Sequence, residues 1–182
     1  MSARVTGWAR GARHCGGRGP ISGRRPGGRW ALKWITRERP KIDRIACPWL
    51  IARFIDDDPD FLFVPGDAVL EVAAEAGATP FDVPGVELGH HGDCCSFDAF
   101  ITRYRLNDAA LHELALIVRG ADCDQLHLAP EAAGLLAISK GLSLNFTDDH
   151  ELVMHGMVIY DALYAWCAHA VSSRSTQDTV PE

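Results

Sequence analysis

The sequence contains no long apolar run, and this absence excludes a membrane-spanning helix. No uninterrupted hydrophobic segment approaches the roughly 18 to 20 residues that a bilayer span needs. An export signal is also missing, because no apolar stretch of about 7 to 15 residues follows the arginine pair Arg24-Arg25. We therefore expect a cytoplasmic protein without a membrane partner.

Regularly spaced cysteines are also absent. The six cysteines include no CxxC pair and no even framework, which favours a reduced protein with free thiols. Motifs of three large enzyme classes are missing as well: no Ser/His/Asp hydrolase signature, no phosphate-binding P-loop and no dinucleotide-binding glycine fingerprint occurs.

Acidic residues are missing from the first 30 positions, which contain seven arginines, although the 182-residue chain has a net charge of −6. This segment is rich in Gly, Arg and Pro and too poor in apolar residues to offset the entropy of ordering. We predict a disordered basic tail over 1–30, a single domain over 31–170 and a second disordered tail over 171–182. The body is acidic, so nucleic acid is not the expected partner of this chain alone.

Apolar periodicity in the domain predicts a mainly α fold with a small β component (α+β), built from five to six helices and two to three short strands. Asp43, Ser96, Asp108 and Asp148 stand where helix N-caps are expected, and Gly77, Gly120 and Gly141 where helices should stop. The predicted strands lie at 31–36 and 61–65, and the predicted helices start at 44, 68, 97, 109, 130 and 149.

One polar loop concentrates chemically active side chains: "VELGHHGDCCSFDAF", residues 86–100. Glu87 and His90 stand three apart and are candidate metal ligands, since such sites often take two ligands from a short segment. His91 and Cys95 are four apart, but Gly92 between them disfavours a helical register. The alternative interpretation is that the stretch only begins a helix.

A cluster of cations precedes the first helix in "TRERPKIDR". Free N–H groups and the helix dipole favour anions at such a place, so the cluster is the candidate oxyanion site. The alternative is ordinary surface charge with an Arg44–carboxylate pair, and Asp43 is interpreted as a helix cap. The candidate oxyanion-binding residues are Arg37, Arg39, Lys41 and Arg44.

Four segments resemble one known family: "KWITRERPKIDRIACPWLIARFID", "ELGHHGDCCSFDAF", "LALIVRGAD" and "AAGLLAISKGL…DDHELVMHGMVIYDALYAW". Over roughly residues 32–168 the chain is similar to the chromate-resistance (ChrB-type) domain. The resemblance implies a role in chromate-responsive regulation and a chromate-like or sulfate-like oxyanion as small-molecule partner. It also matches His90 to the family's loop histidine and makes Asp122 the leading further ligand of one Mn, Fe or Zn ion. Where several members read "VHDAD", this chain has Arg119 and Gly120, which disfavours a hydrolase site.

Cys95 matches the family's cysteine and directly precedes a predicted helix. The helix dipole there would depress the pKa of the thiol and make it the catalytic, redox-active residue. A buried, inert cysteine is the alternative. The sequence thus predicts a chromate-resistance domain that binds metal or oxyanion in sensing or detoxification. A metal- or thiol-dependent enzyme, or a helical module that binds a protein partner or a second copy, remains open.

Overall fold

The computed structural model describes residues 32–177, so the predicted tail of residues 1–30 and residues 178–182 lie outside it. Within this range the chain forms a three-stranded sheet and six α-helices, which confirms the predicted mainly α fold with a small β component. A π-helical turn, Ile51–Ile55, follows the first helix, and a 3-10 turn, Leu126–Leu128, precedes the fifth. The strands are β1 Lys33–Arg37, β2 Asp60–Val64 and β3 Thr79–Pro80; the helices are α1 Asp43–Leu50, α2 Val69–Ala76, α3 Ser96–Tyr104, α4 Ala109–Asp122, α5 Ala132–Asn145 and α6 Asp149–Gln177.

The three strands are parallel, and β1 lies between β2 and β3. The two faces of β1 enter different apolar clusters: Trp34 belongs to the main core with α1, whereas Ile35 packs with Val69 and Ala73 of α2. Helices α1 and α2 therefore cover opposite faces, and the order of the strands reverses between β1 and β3. Such a topological switch point opens a crevice at the carboxyl ends of the strands, where α/β proteins usually bind ligands.

The main core joins the sheet to the helices. Trp49 of α1 stacks on Phe97 of α3, with ring centroids 6.4 Å apart. Two glycines permit close helix contacts: a Cβ at Gly156 of α6 would overlap the Ile45 side chain, and one at Gly120 of α4 would lie 2.9 Å from the Ala132 Cβ. Gly120 is therefore a packing position inside α4, and the prediction that it ends this helix is wrong.

Other predicted boundaries are also corrected. Helix α5 continues past Gly141 to Asn145. Helix α6 continues to Gln177, so the prediction of a disordered tail is wrong for residues 171–177. There Arg174 pairs with Glu113 at 2.6 Å, and hydroxyls such as that of Ser172 donate to the carbonyl four residues earlier. Within residues 32–177 no helix combines the length and apolar character that crossing a membrane requires.

Two helix caps are confirmed and two are wrong. Asp108 accepts from the N–H groups of Ala110 and Leu111, and Asp148 accepts from that of Glu151 at 2.8 Å. Ser96 is not the cap of α3, because Cys95 takes that position and the Asp98 carboxylate accepts from its N–H at 3.0 Å. Asp43 is not a cap either: Ile42 occupies the N-cap of α1 without a side-chain bond.

Candidate functional site

Three aspartates from three separate segments converge on one histidine at the sheet's switch point. The His90 Nε2 lies 3.4 Å from the Asp43 Oδ2, 3.3 Å from the Asp82 Oδ1 and 3.1 Å from the Asp122 Oδ2. Asp43 begins α1 after β1, Asp82 follows β3, and Asp122 ends α4. Their meeting is a product of the tertiary fold, since these residues are far apart in the sequence.

His90 is the most exposed of the four residues in this cluster. The side chains of Asp43 and Asp82 are 1% and 5% exposed, and that of Asp122 is 18% exposed. The His90 side chain is 43% exposed. A small ligand would therefore reach the buried carboxylates past the imidazole.

Asp82 is held by cations and by a hydroxyl. Its Oδ2 lies 2.9 Å from the Arg37 Nη2 and 3.4 Å from the Arg44 Nε, and its Oδ1 accepts from the Ser96 hydroxyl at 2.9 Å. Asp82 itself has φ 50°, a left-handed conformation in which aspartate is one of the few enriched residue types besides glycine. The two guanidinium groups offset the charge of this one carboxylate and fix its orientation.

The negative charge of the Asp43 carboxylate is less well compensated than that of Asp82. Its Oδ2 accepts from the Ser96 N–H at 2.5 Å, but its buried Oδ1 has no hydrogen-bond partner. Burial is the main cause of the raised pKa of Asp43, and the Asp82 charge adds to it, whereas His90 acts in the opposite direction. A buried carboxylate oxygen without a donor costs free energy, and a bound cation would remove that cost.

The neighbouring titrations show an excess of negative charge. Burial, followed by the charges of Asp43 and Asp82, raises the pKa of Asp122 to about 7. The pKa of His90 is raised to about 9, chiefly by its hydrogen bond to Asp43 and against the effect of its partial burial. The charges of Asp43 and Asp82 contribute to both shifts, because three carboxylates surround one imidazole.

Two overlapping groups of side chains could hold a metal ion. Asp43, Asp82 and His90 form one, and His90, Asp122 and Cys123 form the other; in each, the candidate ligand atoms lie within 4.8 Å of one another. Carboxylate and imidazole donors suit Mn, Fe and Zn. The unpaired Asp43 Oδ1 and this donor set fit a divalent ion.

Of the three predicted metal ligands, the structure brings together His90 and Asp122. Glu87 lies in neither group of candidate ligands. Its side chain is 70% exposed, and its Oε1 pairs with the Arg103 Nε at 2.7 Å on the surface.

The four predicted oxyanion residues do not form one cluster. Arg37 and Arg44 both contact Asp82, whereas Lys41 is exposed. Arg39 donates to the carbonyls of Ser143, Phe146 and Thr147 at the end of α5. Only Arg37 and Arg44 therefore lie at the carboxylate site.

Cys95, the predicted catalytic thiol, is fully buried at the N-cap of α3. Burial raises the pKa of its thiol, and the Asp43 charge adds to this effect. The direction is opposite to the depression expected from the helix dipole, because the loss of hydration outweighs the dipole of a short helix. The neighbouring Cys94 is exposed.

Sequence reasoning missed Asp82 and Cys123 and gave Asp43 a different role. Asp82 follows a strand of only two residues, too short to leave a periodic pattern. Its one available signal was its place directly after the apolar Phe81 in "TPFDVPG". Cys123 is partly buried at the C-cap of α4.

Comparison with known proteins places the whole site within one family. Residues 34–167 match the family described as ChrB, C-terminal domain. The chain belongs to this family. The protein ChrB of Cupriavidus metallidurans is 31% identical over 139 residues, which cover 72% of this chain and 40% of that relative. The chain thus corresponds to less than half of the length of this ChrB protein. No solved structure matches the chain.

Proposed function

We propose that this ChrB-family domain acts in chromate sensing or detoxification through a divalent metal centre at His90. One observation carries the proposal: three carboxylates from separate segments lie within 3.4 Å of the His90 Nε2. A protein without a cation there must neutralise several buried charges by taking up protons, whereas a divalent ion neutralises them directly.

The residues around the ligands have distinct tasks in this proposal. Ser96 orients two ligands at once, because its N–H donates to Asp43 and its hydroxyl to Asp82. Arg37 and Arg44 fix Asp82 from the other side. A bound Mn, Fe or Zn ion would supply positive charge and Lewis acidity at the site. The metal ion would enter the site from solvent past the half-exposed His90 side chain.

Resistance to chromate, the process associated with the family, implies chromate as the oxyanion. Arg37 is the residue best placed to bind it. Its side chain is 41% exposed while its guanidinium contacts Asp82. A planar guanidinium presents paired N–H donors to a tetrahedral oxyanion. We propose that the anion approaches between Arg37 and the metal centre, and that binding it shifts the domain between two states for a partner.

Metal analysis tests the centre directly. The chain is purified without added metal, reconstituted with Mn, Fe or Zn, desalted and measured by elemental mass spectrometry. We expect about one ion per chain, lost in His90→Ala and Asp43→Asn and retained in the control His91→Ala. His91 is a suitable control because it is exposed and its ring forms a hydrogen bond with the Glu87 carbonyl, away from the carboxylates. A folded wild-type chain that retains none of these ions would refute the metal centre.

Anion binding needs a separate measurement. Calorimetric titration of the metal-loaded chain with molybdate, a non-oxidising tetrahedral oxyanion, and then with chromate should show binding that Arg37→Gln abolishes. Arg103→Gln, an exposed arginine paired with Glu87, is the matched control. Equal binding by both variants would contradict the proposed place of the anion.

A further inference from the structure

The second group of candidate ligands contains a thiol that the proposed centre has not used. Cys123 lies with His90 and Asp122 such that their ligand atoms are within 4.8 Å of one another. Side chains of adjacent residues inside a helix diverge by about 100°. Cys123 escapes this divergence because it is the C-cap of α4, with φ −102° and ψ 19°, directly after the last helical residue, Asp122.

The distribution of charge favours a cation on the side of the cluster formed by Asp122 and Cys123. On the other side, Asp82 is already paired with Arg37 and Arg44, and both guanidinium groups repel a positive ion. The Asp122 carboxylate pairs with His90 and has no arginine at ion-pair distance among the described residues, so it meets the Arg44 charge only from farther away. The ion is drawn toward the side where negative charge is least compensated.

A buried carboxylate also points to a ligand here. Asp43 is 1% exposed, its Oδ1 has no donor, and its Oδ2 faces the same His90 Nε2 that faces Asp122. His90 is thus shared by both groups, so one ion bound to it would have carboxylate oxygens and the Cys123 sulfur within reach.

We propose that Cys123 is a thiolate ligand of the centre and makes it selective for thiol-binding divalent ions such as Zn²⁺ and Co²⁺ over Mn²⁺. This inference rests on the proposed metal centre. Binding replaces the S–H proton by the metal and releases that proton to the solvent, without oxidation of the sulfur. Thiolate sulfur binds zinc and cobalt far better than the harder manganese ion.

Cobalt spectroscopy tests the thiolate. The full chain, stripped of metal by chelation, is titrated with Co²⁺ without oxygen. We expect ligand-field bands in the visible region together with a sulfur-to-cobalt charge-transfer band in the near ultraviolet. Cys123→Ser should lose the charge-transfer band and retain visible bands, whereas Cys94→Ser, which removes an exposed thiol, should retain both. In Cys123→Ser the ratio of Zn²⁺ to Mn²⁺ affinity should fall by about tenfold or more.

The outcomes separate this inference from the proposal on which it rests. Visible bands without a charge-transfer band in the wild type would overturn the thiolate ligand and leave the metal centre intact. Retention of the charge-transfer band in Cys123→Ser would also overturn it. Absence of any cobalt binding would refute the centre itself. If the variant does not fold, alkylation of the wild type decides: Zn²⁺ should protect Cys123 and leave Cys94 reactive, and equal reactivity with and without Zn²⁺ would overturn the inference.

Discussion

The hydroxyl of Tyr160 donates a hydrogen bond to the carbonyl of Ile42 at 3.0 Å, across 118 residues of sequence. The N–H of Ile42 donates to the Ser139 hydroxyl at the same distance. Ile42 has φ 20°, an unfavourable value for a β-branched residue, and it directly precedes Asp43. Helices α5 and α6 therefore hold the peptide that aims Asp43 at the candidate metal centre.

Tyr160→Phe should weaken metal binding by about 10- to 100-fold, the range typical of residues that orient a ligand. The reason is that Ile42 can relax and turn the Asp43 carboxylate away. Calorimetry of metal binding and thermal unfolding should be measured together. The control Tyr164→Phe removes a hydroxyl from the same helix, one that donates to Asp108 at 2.7 Å. The positioning role is refuted if both variants lose stability and retain wild-type affinity.

Asp43→Asn should stabilise the metal-free protein by roughly 0.5 to 2 kcal/mol while abolishing metal binding. Burial raises the pKa of Asp43, so its charge opposes folding, whereas an amide oxygen can still accept from Ser96. Asp161→Asn should have the opposite effect. The pKa of Asp161 is lowered by its hydrogen bonds from Arg53, so its charge favours folding. Denaturant unfolding in the presence of a chelator measures both, and a destabilised Asp43→Asn variant would contradict the argument.

Alkylation of the native protein should separate the thiols by burial. Cys94 is exposed and should react first, whereas Cys47 and Cys95 are fully buried and should react only after unfolding. Burial also raises the pKa of both buried thiols, which keeps the nucleophilic thiolate scarce. Time-resolved mass spectrometry of tryptic peptides gives the order. Rapid labelling of Cys95 in the folded chain would restore the case for a redox-active residue there.

Gly156→Ala should destabilise the protein by about 1 to 3 kcal/mol, because the new methyl group overlaps Ile45 and forces α6 away from α1. Gly134→Ala is the matched control: it is also helical, no atom lies within 4 Å of the new Cβ, and it should stabilise by up to about 1 kcal/mol. Chemical denaturation of both variants tests the contact. A neutral Gly156→Ala would show that the two helices are not closely packed.

The caps show which features the sequence can predict. Asp108 and Asp148 bond to N–H groups two or three residues ahead, and such local bonds leave a recognisable pattern. Asp43 stands in an equally cap-like place, yet its carboxylate bonds to Ser96, 53 residues later. Local pattern cannot distinguish the two cases, because the partner of Asp43 is chosen by the tertiary fold.

The candidate site was predicted only in part for the same reason. His90 was chosen by its spacing from Glu87 and by the family resemblance, Asp122 by the resemblance alone, and their contact at 3.1 Å is compatible with a shared ligand. Glu87 was chosen by its spacing from His90, but in the irregular loop its side chain turns to Arg103 instead. The place of Asp82 depends on the order of the strands, since the position of β3 beside β1 brings it to the start of α1.

Arg39 is an exposed residue whose conformation is fixed by as many contacts as that of a buried residue. Its backbone N–H is held by Asp149, its guanidinium by three carbonyls at the end of α5, and it sits between Arg37 and Ile42, which flank the site on either side. Substitutions at the corner between α5 and α6 would thus change the positions of the carboxylates in the candidate site. In a saturation mutagenesis screen for chromate tolerance, this exposed arginine should tolerate as few replacements as a buried residue does. Even lysine should not replace it.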